Sequence, residues 1–183
     1  MPGRSPPVAS KRGAPSKARG AHSGTRTVAD GAAKASLASF LSRFEPEVAA
    51  LARAALRRAR ALTPPSYELV YDAYNALSIG FSLSERTSEH FLHVAVYPRH
   101  VNLGFPFGTS LSDEDGRLKG EGARVRHLSV HTRSDLADPM LERFVREAVA
   151  HALAQAVTPP PVRRQTIIRA IYPRQRPRRP PAR

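Results

Sequence analysis

The spacing of the apolar residues changes twice along this chain, and the change limits the folds that it can adopt. Across residues 48–62 they recur every three or four positions, which is typical of an amphipathic helix. Across 77–83 they alternate with small polar residues, which is typical of a strand with one buried face. Helical spacing returns at Pro139, behind Asp138, a favourable N-cap residue. The chain therefore predicts helix, sheet and helix in that order.

Further strands are predicted at residues 91–97, 101–105 and 125–130, the first two separated by Pro98-Arg99. Successive strands that are joined by tight turns pair antiparallel. We therefore expect an α+β fold, an antiparallel sheet of about five strands that is covered on one face by N- and C-terminal helices.

The net charge of +14 is concentrated at the two ends of the chain, because residues 35–156 carry fourteen basic and fourteen acidic side chains. Residues 1–34 have too few apolar residues to offset the entropy of ordering, so we predict a disordered basic arm. Its Arg, Ser and Ala content also fits an organelle transit peptide, the less favoured interpretation. The folded domain is predicted at 35–157, followed by a basic Pro/Arg-rich tail, 158–183, in which 165–172 is a candidate edge strand.

The absence of cysteine excludes disulfides, thiolate catalysis and cysteine-ligated metal centres, and it fits a reducing compartment. No apolar run approaches the roughly 20 residues that a membrane span requires. We therefore expect a cytoplasmic protein. No serine lies in a nucleophile elbow, and the sequence predicts no catalytic residue.

Three separated segments carry a family resemblance: residues 67–82 (YELVYDAYNALSIGFS), 94–99 (VAVYPR) and 118–127 (LKGEGARVRH). Together they resemble the YdhG-like family, a domain of unknown function with a frataxin-like fold, over about residues 36–157. The resemblance implies a small helix, sheet, helix domain and, for some members, an iron chaperone role by analogy with frataxin. This chain instead places four arginines on its first strong helix, and these would repel a hard cation: Arg53, Arg57, Arg58 and Arg60. We predict no metal site and no cofactor from the residues, so iron follows from the family analogy alone.

A small-ligand site is predicted on the non-core face of the sheet, where five polar side chains are expected: His93, Tyr97, His100, Asn102 and His127. His93 and His100 are predicted about 13 Å apart along the hairpin, too far to share one metal ion. A cross-strand pair such as His93 with His127 stays open. The alternative interpretation is a set of solvated histidines on an exposed sheet face.

The glycine-flanked loop at 119–127 adds three cations to this predicted site: Lys119, Arg124 and Arg126. Glycines allow close approach of backbone N–H groups, so the loop can meet an anionic group. The alternative is a hairpin loop whose glycines form turns and whose arginines pair with the acids of residues 113–115.

The C-terminal tail is the second candidate binding segment, through Tyr172, Arg174, Arg176, Arg178 and Arg179. Such a tail can contact phosphates weakly and without sequence preference, or it can serve only for solubility. Three hypotheses follow. The favoured one is a non-enzymatic binding or carrier domain for an unknown small ligand or a metal. The others are an accessory protein that binds nucleic acid through its tails, and an enzyme of unrecognised type.

Overall fold

The computed structural model describes residues 30–180, which form three α-helices and a six-stranded sheet. The helices are α1 (Asp30–Ser42), α2 (Pro46–Leu62) and α3 (Pro139–Gln155). The strands are β1 (Tyr67–Asp72), β2 (Leu77–Ser82), β3 (His90–Val96), β4 (Val101–Phe105), β5 (Arg126–Val130) and β6 (Gln165–Ile171). Within this part of the chain, no helix has the length and apolar character needed to cross a membrane.

Local sequence explains where the two long helices begin. Pro46 occupies the first turn of α2, where its missing N–H costs no hydrogen bond. Asp138 caps α3, since its side chain accepts a hydrogen bond from the Met140 N–H at 2.9 Å. Both helices pack on the central strands, and Phe144 of α3 meets Phe105 of β4 edge-on at 6.1 Å between ring centroids.

The strands lie in the order β5-β4-β3-β2-β1-β6. One face, which we call the helix face, is covered by α2 and α3 and carries the core residues of each central strand, among them Leu77, Ile79, Phe81, Leu92, Val94, Leu103 and Phe105. The opposite face, which we call the open face, carries the alternate residues, among them Ser78, Gly80, His93, Asn102, Gly104 and His127.

The predicted α+β class is confirmed, but the sheet has six strands instead of about five, and it is mixed instead of antiparallel. The parallel pair is β1 with β6, which the chain reaches only after crossing from the end of α3. The sixth strand, β6, corresponds to the candidate edge strand at 165–172 and lies at the edge of the sheet. Its parallel pairing was not predicted, because a parallel neighbour depends on the route of a long connection and not on a tight turn.

The predicted N-terminal boundary also changes, because residues 30–34 of the predicted arm belong to α1. The carboxylate of Asp30 accepts hydrogen bonds from Lys34 Nζ at 2.8 Å and from the Thr166 N–H of β6 at 2.7 Å. Asp30 therefore joins the first helix to the last strand. The predicted disorder of residues 1–29 concerns a segment outside the described residues.

The C-terminal segment, residues 172–180, packs on the domain instead of forming the unfolded tail that the composition predicts. Its Arg178 is 6% exposed. Its guanidinium lies 2.7 Å from one carboxylate oxygen of Asp72, and Arg43 lies 2.6 Å from the other. The same guanidinium lies over the ring of Phe44, 5.5 Å from the centroid. Asp72 is fully buried on the helix face, and a buried carboxylate needs such counterions.

We predict that Arg178→Ala lowers the free energy of unfolding by about 3 kcal/mol, because it leaves the buried Asp72 charge with one counterion instead of two. Arg174→Ala is the matched control, an exposed arginine of the same segment, and it should change stability by less than about 0.5 kcal/mol. Urea unfolding of both variants provides the measurement. Equal stability of the two would mean that the segment does not pack on the sheet.

Candidate functional site

On the open face, glycines alternate with histidines across neighbouring strands. The register places Gly80, His93, Gly104 and His127 in one row across β2 to β5. A Cβ built on Gly104 would lie 2.1 Å from His93 Nε2, so the His93 ring occupies the space above this glycine. The glycine is therefore required by the ring that lies over the strand.

The histidines of this face stand close together but in two separate groups. His90 and His93 are 5.9 Å apart between ring centroids. At the other end of β3 and β4, His100 stacks on Tyr97 at 4.8 Å and lies 5.7 Å from His131. The predicted ligand site is thus divided into two groups along the sheet.

Burial favours the neutral form of four histidines of this face, His90, His93, His100 and His127. It lowers the pKa of His93 to about 4, and the neighbouring His90 and His127 add to the lowering. Burial also lowers the pKa of His90, His100 and His127. Neighbouring positive charge adds to the lowering for His100 and His127, whereas the hydrogen bond to the Thr87 carbonyl opposes it for His90. The open face therefore offers imidazole nitrogens and not positive charge.

The remaining predicted residues make separate local contacts. Lys119 exchanges two backbone hydrogen bonds with His127, at 2.8 and 2.9 Å. Arg124 lies over the Phe107 ring at 5.1 Å, and Arg126 donates to carbonyl groups of its own loop. Asn102 lies one row away from His93, and its buried Oδ1 has no hydrogen-bond partner among residues 30–180. The anion site at this loop therefore stays a prediction, and two of its arginines already have contacts within the protein.

The His90–His93 group lines a pocket of about 280 Å³ on the open face, which we call the sheet pocket. Its floor is formed by small or apolar residues and its walls by aromatic rings and hydroxyls: Leu69, Tyr71, Ala73, Ser78, Gly80, Thr87, His90, His93 and Tyr172. Tyr172, predicted as a tail residue, is therefore part of a formed pocket.

A larger cavity of about 590 Å³ lies between α1, α2 and the β1–β6 edge of the sheet, and we call it the basic cleft. Four residues give it apolar walls: Leu37, Ala38, Leu41 and Leu56. Seven others are polar or charged: Lys34, Arg53, Arg57, Arg60, Glu68, Arg164 and Thr166. Five of these side chains are cationic and one is a carboxylate.

The one carboxylate of the basic cleft is already neutralised. Glu68 is 1% exposed and accepts two hydrogen bonds from Arg60, at 2.7 and 2.8 Å. Arg164 approaches it to 3.9 Å, and Thr166 Oγ1 lies 3.3 Å away. The bond to Glu68 raises the pKa of Arg60, whereas burial lowers the pKa of Arg164. Both stay charged at neutral pH.

The other cations leave a positive surplus in the cleft. Lys34 is paired with Asp30 at 2.8 Å. Arg53 and Arg57 are exposed and form no ion pair with any residue between 30 and 180. The cleft therefore presents unneutralised guanidinium groups beside an apolar wall.

Sequence reasoning missed this cleft, because its residues come from four separated segments. Arg53 and Arg57 were expected only to repel a hard cation. The sequence of β1 does contain a signal for buried ion pairs. Glu68, Val70 and Asp72 are two residues apart along the strand, so both carboxylates lie on the same buried face as Val70. Carboxylates at core positions of a strand indicate buried ion pairs.

In the described part of the chain, no group of three or more histidine, aspartate or glutamate side chains could hold a metal ion. No family model matches the chain, and comparison with curated proteins and with solved structures finds no match either. The candidate sites therefore rest on geometry and electrostatics.

We predict that protein stability falls as pH decreases from about 6.5 towards 4. In the unfolded chain, His93 binds a proton near its ordinary pKa of 6.5, whereas in the folded protein it does so only near pH 4. This difference in pKa corresponds to roughly 3 kcal/mol of folding stability, which is lost over that pH range. The His93→Gln variant should lack this pH-dependent loss of stability and should retain only the smaller losses due to His90, His100 and His127. Urea midpoints measured at several pH values test it, and an equally steep fall in the variant would contradict it.

Proposed function

We propose that this chain is a non-enzymatic binding or carrier protein, and that its ligand is a small molecule with an anionic group and an apolar body. The observation that carries the proposal is the basic cleft, which combines a volume of about 590 Å³, apolar walls and a surplus of positive charge. Cavities of this size and mixed lining are typical of small-ligand sites.

The apolar walls account for the body of the ligand. Leu37 and Leu41 of α1 and Leu56 of α2 line the cleft with small exposed parts of otherwise buried side chains, and the exposed Ala38 lies beside them. Covering such surface gains about 25 cal/mol for each Å² that is removed from water. An alkyl or aryl group can occupy this side without displacing a polar contact of the protein.

The charges account for the anionic group. Arg53 and Arg57 can pair with a carboxylate or phosphate, and guanidinium groups bind both in bidentate fashion. A cationic ligand would meet these arginines without a free carboxylate, because Glu68 is occupied by Arg60. The same argument disfavours iron as a cargo of this cleft.

Binding is favoured over catalysis because the polar groups on the floor of the cleft are already engaged. Arg164 donates to Ser66, to Thr63 and to three backbone carbonyls, and Glu68 accepts from Arg60 and Thr166. A general base needs an accessible lone pair near its operating pH. Membership of the YdhG-like family remains part of this proposal, and a carrier role agrees with it.

Calorimetric titration with decanoate tests the proposal, and decylamine and decanol serve as probes of equal chain length and different charge. Decanoate should bind with one-to-one stoichiometry and weaken with added salt. Decanol should bind more weakly, and decylamine should not bind. Tighter binding of decylamine than of decanoate would overturn the proposal.

We predict that the double variant Arg53→Gln/Arg57→Gln weakens decanoate binding about 5- to 30-fold, equivalent to one or two kcal/mol. The matched control is Arg99→Gln/Arg133→Gln, which removes two exposed charges outside the cleft and should leave affinity within about twofold. Ala38→Trp, at an exposed position of α1, should block the apolar side. Loss of binding in the control alone would place the ligand elsewhere.

A further inference from the structure

The sheet pocket differs in chemistry from the basic cleft and is a separate cavity. It shares no lining residue with the cleft, and it lies on the opposite face of the sheet. None of its nine lining residues carries a lysine, arginine, aspartate or glutamate side chain. A ligand of this pocket is therefore selected by shape and hydrogen bonding and not by charge.

The shape of the pocket suits a flat molecule. Gly80, Ser78 and Ala73 are small residues that line the pocket, and a Cβ built on Gly80 would already meet the His90 ring at 3.7 Å. Leu69 is fully buried and gives the floor an apolar part. A thin ring system can lie on such a floor, whereas a branched side group would meet the backbone.

The walls of the pocket are rings. Tyr71 and Tyr172 belong to the β1 side, and His90 and His93 belong to β3. Tyr172 is 48% exposed, so a large part of the residue is accessible to a ligand. Its position is fixed by its backbone N–H, which donates to the Asp72 carbonyl at 3.0 Å. Aromatic rings placed around a flat floor favour a stacked aromatic ligand.

The polar groups of the pocket provide both kinds of hydrogen-bonding atom. His90 Nδ1 contacts the Thr87 carbonyl, which can only accept, so this nitrogen carries the proton. The neutral ring therefore keeps Nε2 as an acceptor. Ser78, Thr87 and Tyr172 supply hydroxyls, of which Thr87 is already bonded to Tyr71 at 2.5 Å. A heterocycle with donor and acceptor edges matches this set.

We propose that the sheet pocket is a second binding site, for a neutral planar aromatic heterocycle about the size of a nucleobase, stacked against Tyr172 and hydrogen-bonded by His90 and Ser78. The volume of about 280 Å³ accommodates such a ring system. The uncharged lining favours the free base or nucleoside over a nucleotide, because a phosphate would lie in the pocket without a counterion.

The experiment follows the imidazole signals of His90 and His93 by NMR at pH 7 while full-length protein is titrated with adenosine, guanosine, uridine and caffeine. We expect a saturable shift of both histidines with at least one of these neutral probes. Adenosine monophosphate should bind no more tightly than adenosine. A lack of saturable shift with all four probes, or tighter binding of the monophosphate, would overturn the proposal.

Two tyrosine variants locate the ligand. Tyr172→Ala should weaken binding about fivefold or more through loss of stacking. Tyr74→Ala is the matched control, because its ring is also 48% exposed but lies against Arg176 and outside the pocket. Equal effects of the two variants would contradict the assignment. Decanoate titrated into both variants separates this site from the basic cleft, where affinity should stay unchanged.

Discussion

Two buried carboxylates on β1 are the interaction on which the rest of the structure depends. Glu68 and Asp72 lie on the helix face of the strand at 1% and 0% exposure, on either side of Val70. Leaving either charge without a partner would cost several kcal/mol. Their counterions come from distant parts of the chain: Arg60 of α2 and Arg164 before β6 for Glu68, Arg43 after α1 and Arg178 of the C-terminal segment for Asp72. One strand therefore ties both ends of the described chain to the sheet.

The same arrangement separates two cavities of opposite chemistry. On the helix face, the bond to Arg60 neutralises Glu68, the only acid among the described residues that line the basic cleft, and leaves Arg53 and Arg57 as surplus charge. On the open face, burial holds the pKa of His90 and His93 below its ordinary value, so the sheet pocket is uncharged at pH 7. The sheet thus separates the cleft proposed for an anion from the pocket proposed for a neutral ring.

The helices and central strands could be predicted because their apolar spacing is local, and the same alternation placed His93 and Asn102 on the open face. The row that joins His93 to Gly104 and His127 could not, because it depends on the register between strands. The pairing of Asp72 with Arg178 spans 106 residues and has no local signal. Glu68 and Asp72 at core positions indicate that arginines are needed, but several arginines of the tail are equivalent in sequence. Composition alone therefore describes the tail as unfolded.

The most direct test of this account is native-state hydrogen exchange of the C-terminal amides. The C-terminal segment supplies Arg178, the second counterion of Asp72, and Tyr172, which lines the sheet pocket. The N–H groups of Thr166, Tyr172 and Arg176 donate to Asp30, to the Asp72 carbonyl and to the Tyr74 carbonyl. We expect these amides to exchange far more slowly than in an unfolded peptide, with Thr166 the slowest. Exchange of all three at unfolded rates, while the amides of α2 and β3 stay protected, would contradict the account.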